Sequence, residues 1–279
     1  MAITPEARAT GQREFLLTGE DFTRICELVY QLSGIVLGEA KREMVYSRLA
    51  RRLRQLELRS FSEYIALLED ETGQERIAFI NALTTNLTAF FRESHHFDYV
   101  VTQVIPLLKA RTGPKRVRMW SAACSTGEEA YSLAMVLAEH FDSSWDVKVL
   151  ATDLDSNVVA AAKRGSYPLA RLEQLPGWAR KRWVTIEGDH LSIRPEVRQL
   201  VTFKQLNLLG AWPMRGPFDV VFCRNVVIYF DRPTQATLFS RIADMLAPQG
   251  TLFIGHSETL NQVSSRFISQ GNTIYTRAS

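Results

Sequence analysis

Downstream of about residue 115 the chain alternates short β-type runs with runs of helical period, and this alternation limits the possible folds more than any other feature. "RVRMW" (116–120) reads as a strand and 128–140 as a helix. "WDVKVLATDLD" (145–155) reads as a strand, followed by a helix over 156–164 that Gly165 ends. "VTFKQLNLL" (201–209) and 218–223 are further strands, and 233–246 is a helix closed by "PQG". "GTLFIGHSE" (250–258) is another strand, and "FISQGNTIYTR" reads as two short strands around Gly271. Strands alternating with helices predict an α/β fold with an open, mostly parallel sheet. Residues 167–200 break the alternation with Pro168, Pro176 and Pro195 and a strand pair around "IEGDHLSI", which predicts an inserted β-subdomain.

Upstream the period is helical throughout. Phe22, Ile25, Val29 and Leu32 recur at helical spacing until "SG" at 33–34 and Gly38 break the pattern. The next segment, "EAKREMVYSRLARRLRQLELRS", places Val45, Leu49, Leu53 and Leu56 on one face. Beside that stripe Lys41, Arg48, Arg51, Arg52 and Arg59 fall within an arc of roughly 100°. Two more amphipathic helices are expected over 61–71 and 74–83. The start, "MAITPEARATGQREF", has no apolar segment after a basic region, so it is not a secretory signal, and residues 1–18 are expected to be a mobile tail. No apolar run reaches membrane-spanning length. The net charge of +3 is too small to argue for a nucleic-acid partner by itself. Cys26, Cys124 and Cys223 are isolated, which suits a reducing cytoplasm and argues against a zinc site. His95 and His96 are adjacent and point different ways on a helix, so they read as structural and no metal is expected.

In open α/β sheets ligands bind beyond the carboxyl ends of the strands, so the residues standing there carry the functional reading. After the first strand comes "SAACSTGEEAYSLAM", whose small Ser121, Ala122, Ala123 and Gly127 let a ligand approach the backbone at a helix N-terminus. A plain capping box, Ser125 with Glu128 or Thr126 with Glu129, would also account for this stretch. After the second strand stands Asp153, spaced to accept the ribose hydroxyls of a nucleoside, with Asp155 as the N-cap of the next helix. After the third come Asn207 and Leu208, suited to an adenine amide contact and an apolar lid, although a turn role also explains Asn207. After the fourth, in "PFDVVFCRNVVIYFD", stand Arg224 and Asn225. Two glutamates at the helix start would repel a pyrophosphate, whereas Glu129 could attract a cationic nucleoside such as S-adenosylmethionine.

The stretches "TTNLTAFFRESHHF", "WSAACSTGEEAYSLAM", "ATDLD", "NLL", "PFDVVFCRNVVIYFD" and "GHSETL" resemble the CheR-type chemoreceptor methyltransferases over nearly the whole chain. The resemblance implies a Rossmann-like S-adenosylmethionine-dependent methyltransferase domain (113–279), an all-helical N-terminal domain (19–85) and a linker with a connecting helix (86–112). It implies transfer of a methyl group from S-adenosylmethionine to receptor glutamates, giving glutamate methyl esters and S-adenosylhomocysteine in sensory adaptation. Asn86, Thr88, Arg92, Ala123, Glu129, Asp153, Asn207, Leu208, Arg224 and Asn225 would line the cofactor crevice. Arg92 and Tyr229 would flank the transferring methyl and the incoming carboxylate. Lys41, Arg48, Arg51, Arg52 and Arg59 would dock the cytoplasmic helices of chemotaxis receptors, against the alternative of a solvated face. The expected setting is a cytoplasmic monomer recruited to membrane receptor arrays, with no nucleic acid and no direct membrane insertion. Some relatives grip a receptor's C-terminal tether peptide through a glycine-rich loop in the inserted subdomain; here "VTIEGDHLSIRPEVRQL" has Gly188 alone, so no tether is expected. A receptor-binding adaptor without turnover would lack Arg92 or Tyr229, and both are present. An exocyclic-amine methyltransferase would carry an N-P-P-Y type turn where this chain has "RNVVIYF".

Overall fold

The computed structural model describes residues 13–70 and 73–278. The helical part comprises α1 (Gly19–Ser33), α2 (Arg42–Gln55), α3 (Phe61–Glu69) and α4 (Glu75–Leu83). A linker leads to α5 (His95–Tyr99), a π-helical turn (Val100–Val104) and α6 (Ile105–Ala110). The α/β part runs β1 (Arg116–Ala122), α7 (Glu128–His140), β2 (Asp146–Asp153) and α8 (Ser156–Arg164). Next come β3 (Ser166–Pro168), α9 (Gly177–Arg182), β4 (Val184–Glu187), β5 (His190–Ile193) and α10 (Pro195–Arg198). The chain closes with β6 (Val201–Gln205), β7 (Phe218–Phe222), α11 (Arg232–Met245), β8 (Leu246–Phe253), β9 (Phe267–Gly271) and β10 (Ile274–Arg277).

Seven strands form one sheet in the order β6-β2-β1-β7-β8-β10-β9. The first five are parallel to one another, and β10 and β9 add antiparallel pairs at one edge. Successive side chains on a strand point to opposite faces. Accordingly Met119, Val220 and Phe222 pack on one side with α7 residues such as Leu133 and Leu137, while Trp120 and Val221 pack on the other with Leu238, Phe239 and Ile242 of α11. β7 is buried along its whole length, as a central parallel strand covered on both faces must be. Its one charge, Asp219, accepts the Arg118 backbone N–H at 2.8 Å and is ion-paired with Arg111. β3, β5 and β4 form a separate antiparallel sheet, with β4 and β5 joined by a two-residue turn at Gly188–Asp189. The expectation of a strand pair there is thus one strand short.

Four local expectations are corrected. Residues 13–18 are not a loose tail: Phe15 and Leu17 are buried in the helical core, Arg54 pairs with Glu14, Arg13 pairs with Glu43, and Thr18 with Asp21 forms the capping box of α1. Residues 1–12 lie outside the described residues. Helix α7 has no capping box, because its N-cap is Gly127 at φ 96° and Thr126 instead donates to Glu128 at 2.6 Å. "PQG" does not close α11, since β8 begins directly at Leu246 and takes those residues into the sheet. That strand ends at Phe253, so Gly255–Glu258 is a turn.

The helical part sits across the carboxyl ends of the parallel strands. Val36 N–H donates to the Tyr229 carbonyl at 2.8 Å, Asn207 Nδ2 donates to the Leu32 carbonyl at 2.8 Å, and the Tyr30 hydroxyl meets Asp231 at 2.9 Å. Gly34, in the left-handed region at φ 72°, ends α1 beside Leu209 and lets the chain turn toward that contact.

Candidate functional site

A cavity opens at this junction. Its wall combines Ser33, residues 35–37, Lys41 and Met44 from the helical part, residues 83–89 and Arg92 of the linker, and the ends of the first four parallel strands in chain order. Asn86, Thr88, Arg92, Ala123, Glu129, Asp153, Asn207, Leu208, Arg224, Asn225 and Tyr229 all line it. Residues far apart in the sequence meet there because parallel strands all end on the same side of the sheet.

The turn after β1 is built from left-handed residues, with Ala123 at φ 69°, Ser125 at 50° and Gly127 at 96°. Ala123 and Cys124 N–H groups both donate to the Thr152 carbonyl, at 2.8 and 2.9 Å, which folds the turn down onto β2. Gly127 is required twice over: besides its positive φ, a Cβ there would stand 2.8 Å from the Ala162 Cβ. Asp153 closes the arrangement from β2. Its Oδ2 accepts the Ser125 N–H at 2.7 Å and its Oδ1 the Asp155 N–H at 2.9 Å. Burial nevertheless raises its pKa to about 6, against the backbone hydrogen bonds that favour the ionised form. Glu129 accepts from the Ser121 hydroxyl at 2.7 Å and faces Arg224 Nε at 3.6 Å; burial raises its pKa.

Arg224 is the buried charge at the centre. Its Nη2 donates to the Arg92 carbonyl at 2.6 Å, its guanidinium lies 3.7 Å from Glu93, and it stands over the rings of Phe222 and Phe97. Its Nε and Nη1 are buried without a hydrogen-bond partner. Arg224 therefore fixes the backbone that carries Arg92, whose own side chain donates to the Leu87 carbonyl at 2.9 Å. Asp155 is the N-cap of α8, as the sequence suggests, and it also receives the Thr84 hydroxyl and Asn86 Nδ2, both at 2.8 Å. Asn86 is thus anchored to a carboxylate at the cavity edge. Asn207 Oδ1 accepts the Leu209 N–H at 2.9 Å, so the turn role holds, and its Nδ2 also ties the sheet to α1.

Glu93 went unnoticed in the sequence. Its carboxylate meets His256 Nδ1 at 3.1 Å and Asn225 Nδ2 at 3.4 Å. Burial works to raise its pKa, but Arg224, His256 and Asn225 outweigh that and hold it below the ordinary value. The only sequence signal was its place beside Arg92. His96 is a core residue, with Nε2 against the Asn272 carbonyl and the Thr273 hydroxyl at 3.0 and 3.1 Å and its pKa pushed down to about 4 by burial and Arg224. Glu93, His95 and His96 bring ligand atoms within 4.8 Å of one another, but the cation facing Glu93 is Arg224.

The five basic residues of the second helical segment do not form one free stripe. Arg48 donates to the Ala82 and Thr84 carbonyls at the end of α4, at 3.4 and 2.7 Å. Arg52 is ion-paired with Glu75 at 2.6 Å. Both hold the helical part together, because α2 packs against α4. Lys41 lines the cavity, and Arg51 and Arg59 are exposed.

Two family models match the chain in sequence: "CheR methyltransferase, all-alpha domain" over residues 20–84 and "CheR methyltransferase, SAM binding domain" over residues 86–276. The chain belongs to the CheR methyltransferase family. It is 46% identical over 275 residues to chemotaxis protein methyltransferase 2 of Pseudomonas aeruginosa, covering 96% of each chain. It is 45% identical over 268 residues to the chemotaxis protein methyltransferase of Escherichia coli, covering 93% of this chain and 91% of that one. Membership makes S-adenosylmethionine the cofactor. The CheR cavity fits that molecule chemically: a buried carboxylate, Asp153, suits ribose hydroxyls, and acidic Glu129 with small residues at 121–123 suits a cationic nucleoside better than a pyrophosphate.

Proposed function

We propose that the protein methylates glutamate side chains on the cytoplasmic helices of chemotaxis receptors. The observation that carries this reading is that Arg92 and Tyr229, a guanidinium and a phenol suited to steering a carboxylate, line the same cavity as the cofactor residues. In this reading Asp153 accepts the ribose hydroxyls, Asn207 and Leu208 contact the base, and Glu129, Arg224 and Asn225 set the crevice around the remainder. Asn86 and Thr88 close it from the linker.

The cofactor supplies an electrophilic methyl group on a sulfonium. A glutamate is already ionised at neutral pH, so no general base is needed. Held in this cavity, the cofactor would give its methyl group to one of the carboxylate oxygens and leave as S-adenosylhomocysteine, a transfer in which no residue would have to take or supply a proton. Water masks a carboxylate nucleophile, so the protein's task is to strip that water and hold an oxygen in line. The two-domain cavity suits this, because Val36 of the helical part and Tyr229 of the α/β part both line it and are joined by a hydrogen bond. Exposed Val36, Leu87 and Ile228 border Arg92 and Tyr229 with apolar surface. Among the described residues no helix is long and apolar enough to cross a membrane, so contact with receptor arrays would be made through the receptors. The test is methylation of purified receptor fragments with labelled S-adenosylmethionine. Label on glutamate, released by base as a methyl ester, is the expected result. Absence of label on any receptor fragment, or base-stable label, overturns the proposal.

A further inference from the structure

Glu258, in "GHSETL", is 6% exposed and spends its whole carboxylate on backbone N–H groups. Its Oε1 accepts from Val226 and Val227 at 2.9 and 3.0 Å, and its Oε2 from Asn225 and Gly255 at 3.0 and 2.5 Å. Three consecutive donors converging on one carboxylate form an anion nest built around a side chain. The segment so held runs from Asn225, in the left-handed region at φ 56°, into the turn Val227–Tyr229. The cradle is close-fitting: a Cβ on Gly255 would stand 2.3 Å from Asn225 Nδ2 and 2.9 Å from Glu258 Oε2. Beside it His256 meets Glu93, which in turn meets Asn225, so the Gly255–Glu258 turn grips the Asn225 residue at backbone and side chain together.

We infer that Glu258 is a positioning residue for methyl transfer: by gathering the N–H groups of Asn225, Val226 and Val227 it sets where Asn225 meets the cofactor and where Tyr229 meets the substrate. Other bonds hold the carbonyl side of this turn. Tyr229 N–H reaches the Val226 carbonyl at 3.2 Å, Phe230 N–H the Val227 carbonyl at 3.0 Å, Gln235 Nε2 the Val227 and Phe230 carbonyls at 2.9 and 3.0 Å, and Val36 N–H the Tyr229 carbonyl at 2.8 Å. The N–H groups of Asn225, Val226 and Val227, by contrast, are gathered by Glu258. A neutral acceptor of the same shape does not serve, since an amide presents N–H donors to two of the four N–H groups. The inference rests on the proposed receptor reaction for its rate, but not for its geometry.

The decisive variant is Glu258→Gln, measured three ways. Amide exchange over 225–229 is expected to speed up at least about tenfold. Affinity for S-adenosylhomocysteine, read by calorimetry, is expected to fall about three- to tenfold through Asn225. Turnover at saturating receptor fragment is expected to fall at least about tenfold with KM changed less than about threefold, and the loss is expected to shrink to under about threefold in a Tyr229→Phe background, because the two residues act on one step. Wild-type turnover per folded molecule together with wild-type cofactor affinity, or losses that add fully with Tyr229→Phe, overturn the inference. Should Glu258→Gln fail to fold, Glu258→Asp keeps the charge and is read by the same cycle, with intermediate losses expected. Should the wild-type protein label no receptor fragment, the proposed function falls, while exchange and cofactor affinity still decide the role of Glu258.

Discussion

At the scale of single residues, charge burial is the feature with the most direct consequences. Asp153 already accepts two backbone N–H groups, and each oxygen keeps a further lone pair for a ribose hydroxyl. Hydrogen bonds to a charged partner contribute about 1.5–3 kcal/mol each. Asp153→Ala is therefore expected to weaken S-adenosylhomocysteine binding at least about tenfold by calorimetry; unchanged affinity would show that the carboxylate serves the turn alone. The pH behaviour has a defined sign. Folding raises the Asp153 pKa from 3.8 to about 6, so the native state holds the proton more tightly than the unfolded chain. Its stabilising contribution is complete below about pH 4 and is lost as pH rises through about 6. Cofactor affinity should run the other way and weaken below about pH 6, where protonation removes the negative charge and turns one accepting oxygen into a donor. Asp153→Asn should flatten both profiles. Tyr229→Phe is expected to lower turnover on receptor fragments with S-adenosylhomocysteine affinity unchanged, and a wild-type rate would mark Tyr229 as packing only.

Among the elements, α2 and its two flanks divide their basic residues between two tasks, with Lys41 just before the helix and Arg59 beyond its end. Arg48 and Arg52 are committed to α4, which leaves Arg51 and Arg59 exposed and Lys41 at the cavity. Exposed charges of this kind steer encounter with acidic partners more than they add affinity. Reversing Arg51 and Arg59 to Glu should thus lower methylation at limiting receptor, recover most of the rate at saturating receptor, and leave cofactor affinity alone. The wild-type rate at limiting receptor should also fall with salt, since exposed charges are screened over about 10 Å at 0.1 M. An unchanged low-receptor rate would make these residues a solvated face. The small sheet of β3, β5 and β4 offers only a two-residue turn at Gly188–Asp189. Deleting the C-terminal peptide of a cognate receptor is accordingly expected to change methylation little, and a steep fall would assign tether binding to this sheet.

For the whole molecule the central fact is that one cavity belongs to two units. Its walls include Ser33 and residues 35–37 of the helical part and the sheet ends opposite, joined by the Val36–Tyr229 and Asn207–Leu32 hydrogen bonds. A ligand there binds the assembled form and stabilises it by about 2.7 kcal/mol at one hundred times its Kd. S-adenosylhomocysteine should therefore raise Tm in a single cooperative transition. Two transitions, of which only the later shifts, would show that the helical part is not coupled to the site.

The sequence by itself determined the layers of this protein, because a switch from helical period to alternating strands and helices dictates a helical unit followed by a covered parallel sheet. It also indicated where a site could gather, since ligands in such sheets bind at strand ends, and Asp153, Asn207, Arg224 and Asn225, which stand at those ends, line one cavity. Local rules decided Asp155 as an N-cap and Gly165 as a helix stop. What they could not decide were pairings across long separations. Arg52 with Glu75, Arg224 with the Arg92 carbonyl, Glu93 with His256 and Glu258 with three successive N–H groups all depend on which surfaces the fold brings together. The same limit explains the misread first residues: Phe15 and Leu17 show no period of their own, and only the groove between the packed helices gives them a place to bury. Side-chain spacing records the preferences of one element, whereas the partner of a buried charge is chosen by tertiary contact.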